Sequence, residues 1–249
     1  MPPTPIQTTA DGLDCADILI PSGDERLPGF AARPAGRPAR ATILVVQEIF
    51  GVHEHIRDLC RRLAHAGYLA VAPELYFRQG DPRDITDIPQ LIAAIVSRVP
   101  DAQVLADLDA TAAWAAGQDG GALGITGFCW GGRIVWLYAA HNPALSAGVA
   151  WYGRLRSGFA PDSPRQPIDV AAQLLAPVLG LYGALDQSIP AADAEAMRAA
   201  LAQGSQPAQI VLYPDAGHAF LADYRPSFQA AAARDGWQRM LDWFAAHGL

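Results

Sequence analysis

Cysteine, positive charge and long apolar runs are all scarce in this chain, and each shortage removes a class of function. Only three cysteines occur in 249 residues: Cys15, Cys60 and Cys129. An odd, irregularly spaced set in a long chain does not build a disulfide framework. No C-x-x-C or H-E-x-x-H spacing is present, so no zinc or other metal site is expected. Lys and Arg total 18 against 25 Asp and Glu, giving a formal net charge of -7. A dedicated nucleic-acid binder needs a basic face, so no nucleic-acid partner is expected. No apolar run reaches the roughly 18 uncharged residues of a membrane span. The opening MPPTPIQTTADGLDC lacks the basic-then-apolar order of a signal peptide. The setting expected is therefore soluble, reducing and cytoplasmic, with no membrane partner. G-x-G-x-x-G and G-x-x-x-x-G-K-[ST] are also missing, which disfavours a dinucleotide or nucleotide site.

What is present is material for a large core. The chain is 51% hydrophobic and 17% charged, the balance of a folded α/β domain rather than a disordered chain. There is no internal repeat and no low-complexity linker. A short tail over 1–12 and a single domain over 13–249 are expected. Strands are expected at Cys15–Ile20, Gly29–Arg33, Thr42–Gln47, Tyr68–Ala72, Leu123–Phe128, Ala147–Tyr152, Pro177–Tyr182 and Gln209–Tyr213. Several, such as TILVV and PVLGLY, are continuous apolar runs, as in strands covered on both faces.

Helical periodicity falls between these runs. Ile56, Leu59, Cys60 and Leu63 lie on one stripe, which makes Cys60 a packing residue. Trp237, Met240, Leu241 and Phe244 predict a docked C-terminal helix. Leu91–Trp114 predicts one long or broken helix, with Pro100 as the break. The fold class expected is α/β: a mostly parallel sheet of about eight strands with helices on both faces. The first two strands, with no helix between them, form an antiparallel hairpin at one edge. Ligands in such sheets sit beyond the carboxyl ends of the strands. The loops Gln79–Asp87 and Arg154–Asp169 are candidate pocket rims.

One strand-to-helix corner carries chemistry. Gly127-Phe128-Cys129-Trp130-Gly131 reads G-x-C-x-G, the cysteine form of a nucleophile elbow. Such a turn holds its middle residue in a strained backbone, and bulky neighbours would collide, so glycines flank it. Gly132 adds room for the helix to approach the sheet. The side chain then stands at a helix N-terminus, where a developing anion is favoured. The competing reading of Cys129 is buried filler. A thiol nucleophile needs a base and an orienting acid. Of the histidines after Cys129, His141 and His247 read as surface residues. His218 follows a strand in IVLYPDAGHAF and is the candidate base. Asp186, just past PVLGLYGALD, is the candidate acid; Asp215 is the alternative and sits in a Pro-Asp turn.

QEIFG (Gln47–Gly51), GFCWGG (Gly127–Gly132), YGALD (Tyr182–Asp186) and DAGHAF (Asp215–Phe220), in that order, resemble the dienelactone hydrolase family of α/β-hydrolases, also called carboxymethylenebutenolidases. The similarity runs from about Leu13 to the last helix. It implies a Cys129–His218–Asp186 triad and a Glu48 that influences ionisation of the thiol. It also implies an oxyanion hole made by the backbone N–H groups of Ile49 and Trp130. Family members that open dienelactones hold the substrate carboxylate with arginines. Arg78 matches one of these, while the position four after His218 is Ala222, with Arg225 close by.

The function expected is hydrolysis of an ester or lactone through a cysteine thioester, without metal or organic cofactor. The partner is then a small-molecule ester or lactone; the oligomeric state is left open. Phe50, Trp151 and Tyr152, near strand ends with Phe77 and Trp130, are expected to line an apolar pocket. Arg78 and Arg225 would favour an anionic substrate. The alternative is a non-catalytic binding or redox-sensing protein that uses Cys129.

Overall fold

Two compact units make up the computed structural model, which describes residues 5–118, 120–161 and 163–249. One unit comprises Gln7–Gly124 with Gly158–Pro164; the other comprises Ile125–Ser157 and Arg165–Leu249 with the chain's first residues.

The first unit opens with β1 (Leu13–Ser22) and β2 (Glu25–Pro34), joined by a tight turn and paired antiparallel from Leu13↔Pro34 to Ser22↔Glu25. It continues through β3 (Ala41–Val46), α1 (Glu54–His65) and β4 (Leu69–Pro73). Strand β4 is antiparallel to β2 and parallel to β3, in the order β1-β2-β4-β3. All of β3 and all of β4 are buried, which is why their sequences show no polar alternation. Helix α1 buries Ile56, Leu59, Cys60 and Leu63, the stripe read from the sequence. The stripe also carries Asp58, which is 2% exposed. Its carboxylate accepts from Arg62 Nε at 2.5 Å, Arg61 at 3.2 Å and the Thr8 N–H at 2.6 Å, so the buried charge is neutralised. The long helical pattern is indeed broken: α2 (Ile88–Ala94) and a 3₁₀ turn precede α3 (Asp101–Ala116), whose N-cap is Pro100.

Strand β5 (Ala122–Phe128) carries the chain across the boundary between units and runs directly into α4 (Trp130–Ala139). The second unit then adds β6 (Leu145–Trp151), α5 (Pro167–Val170), β7 (Val178–Gly183), α6 (Ala191–Leu201), β8 (Ala208–Tyr213) and α7 (Ala230–Ala246). Its strand order is β5-β6-β7-β8, with β6-β7 and β7-β8 parallel. Eight strands, mostly parallel and alternating with helices, make this an α/β protein, and all eight predicted strands are present.

Helix α7 departs from its predicted register. Met240 and Phe244 are buried, but Trp237 and Leu241 are only half-buried, and Ala233 and Gly236 take the inner positions. The reason is close packing: a Cβ at Gly236 would lie 2.7 Å from the Trp151 ring. A hydropathy stripe weighs side-chain size and cannot see that the tightest contact uses the smallest residue.

Candidate active site

Cys129 stands between β5 and α4 as the N-cap of the helix, with φ 54° and ψ -111°. Among the described residues only Cys129, Tyr152 and Ala219 combine a side chain with positive φ. The strain is held by its surroundings. The Cys129 N–H donates to Trp151 O at 3.0 Å. A Cβ on Gly127 would lie 2.3 Å from Gly131 O, and one on Gly132 would lie 2.3 Å from Trp151 O. Only glycine lets the corner close this tightly against the end of β6. The Cys129 side chain is partly exposed. Trp130 directly follows it as the first residue of α4.

Two further loops of the same unit converge on the thiol. His218, after β8, places Nε2 3.2 Å from Cys129 Sγ. Its Nδ1 lies 2.7 Å from Asp186 Oδ2, after β7. Asp215, the alternative acid, is exposed. Burial acts against a charged His218, but the Asp186 hydrogen bond and the interaction with Cys129 outweigh it and raise its pKa to about 10. Burial likewise acts against the Asp186 carboxylate, yet hydrogen bonds from His218 and Ser188 bring its pKa below the usual carboxylate value. A thiol, an imidazole held protonated and a carboxylate held ionised are thus in line. That arrangement can stabilise a thiolate and pass a proton.

The expected pocket aromatics behave differently from expectation. Trp151 is 0% exposed. Its ring centroid lies 5.9 Å from Phe128 and 5.8 Å from Phe220, and its Nε1–H donates to Thr126 Oγ1 at 3.2 Å. It is core that backs the elbow, not a pocket wall. Tyr152 is also 0% exposed; its ring meets His218 edge-on at 5.3 Å and steadies the imidazole. Arg225 is half-buried, and its N–H closes a turn on Ala222 O at 2.9 Å; Ala222 is buried.

The remaining candidates belong to the other unit. Glu48 is 1% exposed, with His53 Nε2 3.5 Å from Oε2. Ile49 is buried, and Phe50 is half-buried against His53 with centroids 6.0 Å apart. Arg78 is held in an ion-pair cluster. Its Nε meets Glu25 at 2.5 Å, and its other two nitrogens meet Asp107 at 2.6 and 3.1 Å. Asp107 is 1% exposed and also accepts from Ser22 Oγ at 2.8 Å. This guanidinium is met by two carboxylates where it stands. The Gln79–Asp87 loop does line a cavity of about 430 Å³, with Glu74 and Phe77.

The model of the family described as "Dienelactone hydrolase family" matches residues 27–248. The chain belongs to the dienelactone hydrolase family. Relatives agree along its whole length. A protein of Escherichia coli O157:H7 named "Putative carboxymethylenebutenolidase" is 59% identical over 98% of this chain and 92% of its own. A Methylorubrum extorquens protein of the same name is 57% identical over 99% of this chain and 86% of its own. The crystal structure of a Klebsiella pneumoniae protein described as a "Putative Dienelactone Hydrolase" superposes with a TM-score of 0.91 at 60% identity, covering 94% of this chain and 98% of that one. The protein is accordingly a hydrolase of the dienelactone hydrolase type, with an α/β-hydrolase fold and a small-molecule substrate. Among the described residues, no helix is long and apolar enough to cross a membrane.

Sequence reading missed two residues of this dienelactone hydrolase's site region. Ser188 donates through both its N–H and its hydroxyl to Asp186 Oδ1. Its signal was the Asp-x-Ser spacing that favours a local side-chain turn. Arg133, 2% exposed, runs from α4 to Gln166 Oε1 and Arg165 O, each at 3.0 Å. Nothing local in the sequence marks a contact made across 33 residues.

Proposed function

We propose that this protein cleaves an ester or lactone by nucleophilic catalysis at Cys129. The observation that carries the reading is the continuous line Sγ–Nε2 at 3.2 Å and Nδ1–Oδ2 at 2.7 Å through His218 to Asp186. The thiolate of Cys129 attacks the carbonyl carbon, and the carbonyl electrons move onto oxygen. The Trp130 N–H at the head of α4 receives that oxyanion; the family resemblance assigns the second donor to Ile49 and a part in ionising the thiol to Glu48. Where a side chain supplies such a donor, its removal costs roughly 3–4 kcal/mol. When the tetrahedral species collapses, the C–O bond breaks. His218 gives its proton to the leaving alkoxide or enolate, leaving a thioester on Sγ. Water, deprotonated by His218, then cleaves the thioester, which expels the Cys129 thiolate and restores its pair with the protonated His218.

The name the relatives carry, carboxymethylenebutenolidase, supports an unsaturated lactone as the substrate class. Arg225, seven residues after His218, is the basic residue proposed to meet an anionic substrate. The test is turnover of p-nitrophenyl acetate and a butenolide. Stoichiometric iodoacetamide and Cys129→Ala should each abolish both activities. Labelling of Cys129 in a protein that turns over nothing would replace the reading with a binding or sensing role.

A further inference from the structure

We infer that Ser188 is a positioning residue of this site: it fixes the Asp186 carboxylate so that one oxygen is held for His218 alone. The inference rests on the proposed Cys129–His218–Asp186 machinery and adds a fourth member to it. Asp186 Oδ1 accepts two hydrogen bonds from one residue, the Ser188 N–H at 2.8 Å and Ser188 Oγ at 2.7 Å. Those two donors leave Oδ2 facing His218 Nδ1 at 2.7 Å. The carboxylate cannot rotate about its last bond without losing at least one of these contacts.

The Ser188 hydroxyl also bears on the histidine's proton. A hydroxyl has a single hydrogen, and Ser188 directs it to Asp186. Oγ therefore faces His218 Nδ1, 3.5 Å away, only as an acceptor. Both neighbours of Nδ1 are then acceptors, so Nδ1 carries a hydrogen. Nε2 becomes the nitrogen that exchanges a proton with Sγ. The same donors stabilise the ionised carboxylate, and both Ser188 contacts act to lower the Asp186 pKa. Ser188 is placed firmly enough for this: Asp186 N bonds back to Gly183 O at 3.3 Å, and the next residue, Ile189, is 3% exposed. The Ser188 side chain itself faces solvent. Removing its hydroxyl therefore empties no packed space, and water can make good part of the loss.

The experiment compares Ser188→Ala and Ser188→Thr in the full chain. Two readouts are followed against pH: kcat and KM for p-nitrophenyl acetate, and the rate of Cys129 alkylation by iodoacetamide. Ser188→Ala should lower kcat about tenfold with KM unchanged, the effect of one hydrogen bond to a charged group. Its acid limb, in activity and in alkylation, should move up by about half a pH unit as the carboxylate becomes easier to protonate. Ser188→Thr, which keeps the hydroxyl, should restore both, and thermal midpoints should match throughout. Wild-type kcat with an unmoved acid limb in Ser188→Ala would overturn the inference. So would a loss of rate that Ser188→Thr does not restore, or one that tracks a fall in thermal midpoint. Alkylation needs no substrate. If the wild-type protein hydrolysed nothing, the proposed function would fail while the alkylation curves still decided the role of Ser188.

Discussion

At Cys129 the backbone is held at positive φ, a conformation that costs a non-glycine residue about 1–3 kcal/mol and persists only where the surroundings over-determine it. The return is a partly exposed Cys129 side chain at the head of α4, within reach of an imidazole whose pKa is raised to about 10. Since His218 keeps its proton across the neutral range, a cation faces the sulfur there and favours the thiolate. Alkylation of Cys129 should therefore be faster in the wild type than in a variant that lacks this cation. His218→Gln removes the cation and should slow alkylation of Cys129 at neutral pH. An unchanged rate in that variant would separate His218 from the thiol's chemistry. The residue types and their chain order were legible in the sequence because a nucleophile, an acid and a base each followed an apolar strand. The role of Ser188 was not, since a serine two residues after an aspartate is also an ordinary turn.

At the scale of elements, the elbow is a packing problem solved between β5, α4 and the end of β6. Gly132 sits so close to Trp151 O and Gly153 that a methyl group cannot enter without moving backbone. Gly132→Ala should cost about 3 kcal/mol or more, read as a drop in urea midpoint, with activity lost in parallel. Thr126, 0% exposed, donates to Val149 O at 3.0 Å and accepts the Trp151 indole N–H. Thr126→Val keeps the shape but buries that N–H without a partner, for a loss of about 1–3 kcal/mol. The strands could be read from sequence because β3 and β7 are buried along their whole length and so are uniformly apolar. Helix α7 could be recognised but not placed in register, because Gly236 rather than Trp237 makes its closest approach. Trp151 could be assigned to a strand end, but whether it faced a pocket or the core depended on α7 and Phe220, both distant in sequence.

For the whole molecule, two arginines that look alike in sequence have different consequences. Arg78 neutralises the buried Asp107, so Arg78→Ala should destabilise the fold by about 3 kcal/mol through the stranded carboxylate. Arg225→Ala should raise KM for an acidic lactone more than for a neutral ester. The Arg78–Asp107 pair spans 29 residues, and no local pattern announces it. Stability should also follow the triad's protons. The raised pKa of His218 contributes stability in full below its unfolded value of about 6.5, and that contribution is lost as pH rises through about 10. The lowered pKa of Asp186 contributes above its unfolded value and is lost as pH falls through the folded one. The gap in urea midpoint between wild type and His218→Gln should thus be widest near pH 6 and close toward pH 10.

The central claim is that Cys129 carries the acyl group of the substrate. Rapid acid quench of the protein with p-nitrophenyl acetate, followed by mass spectrometry of its peptides, tests this directly. The account predicts one acetyl group on the peptide containing Cys129, formed within a turnover and absent in Cys129→Ala. Steady turnover by Cys129→Ala, or an acetyl group carried by another residue, would contradict it.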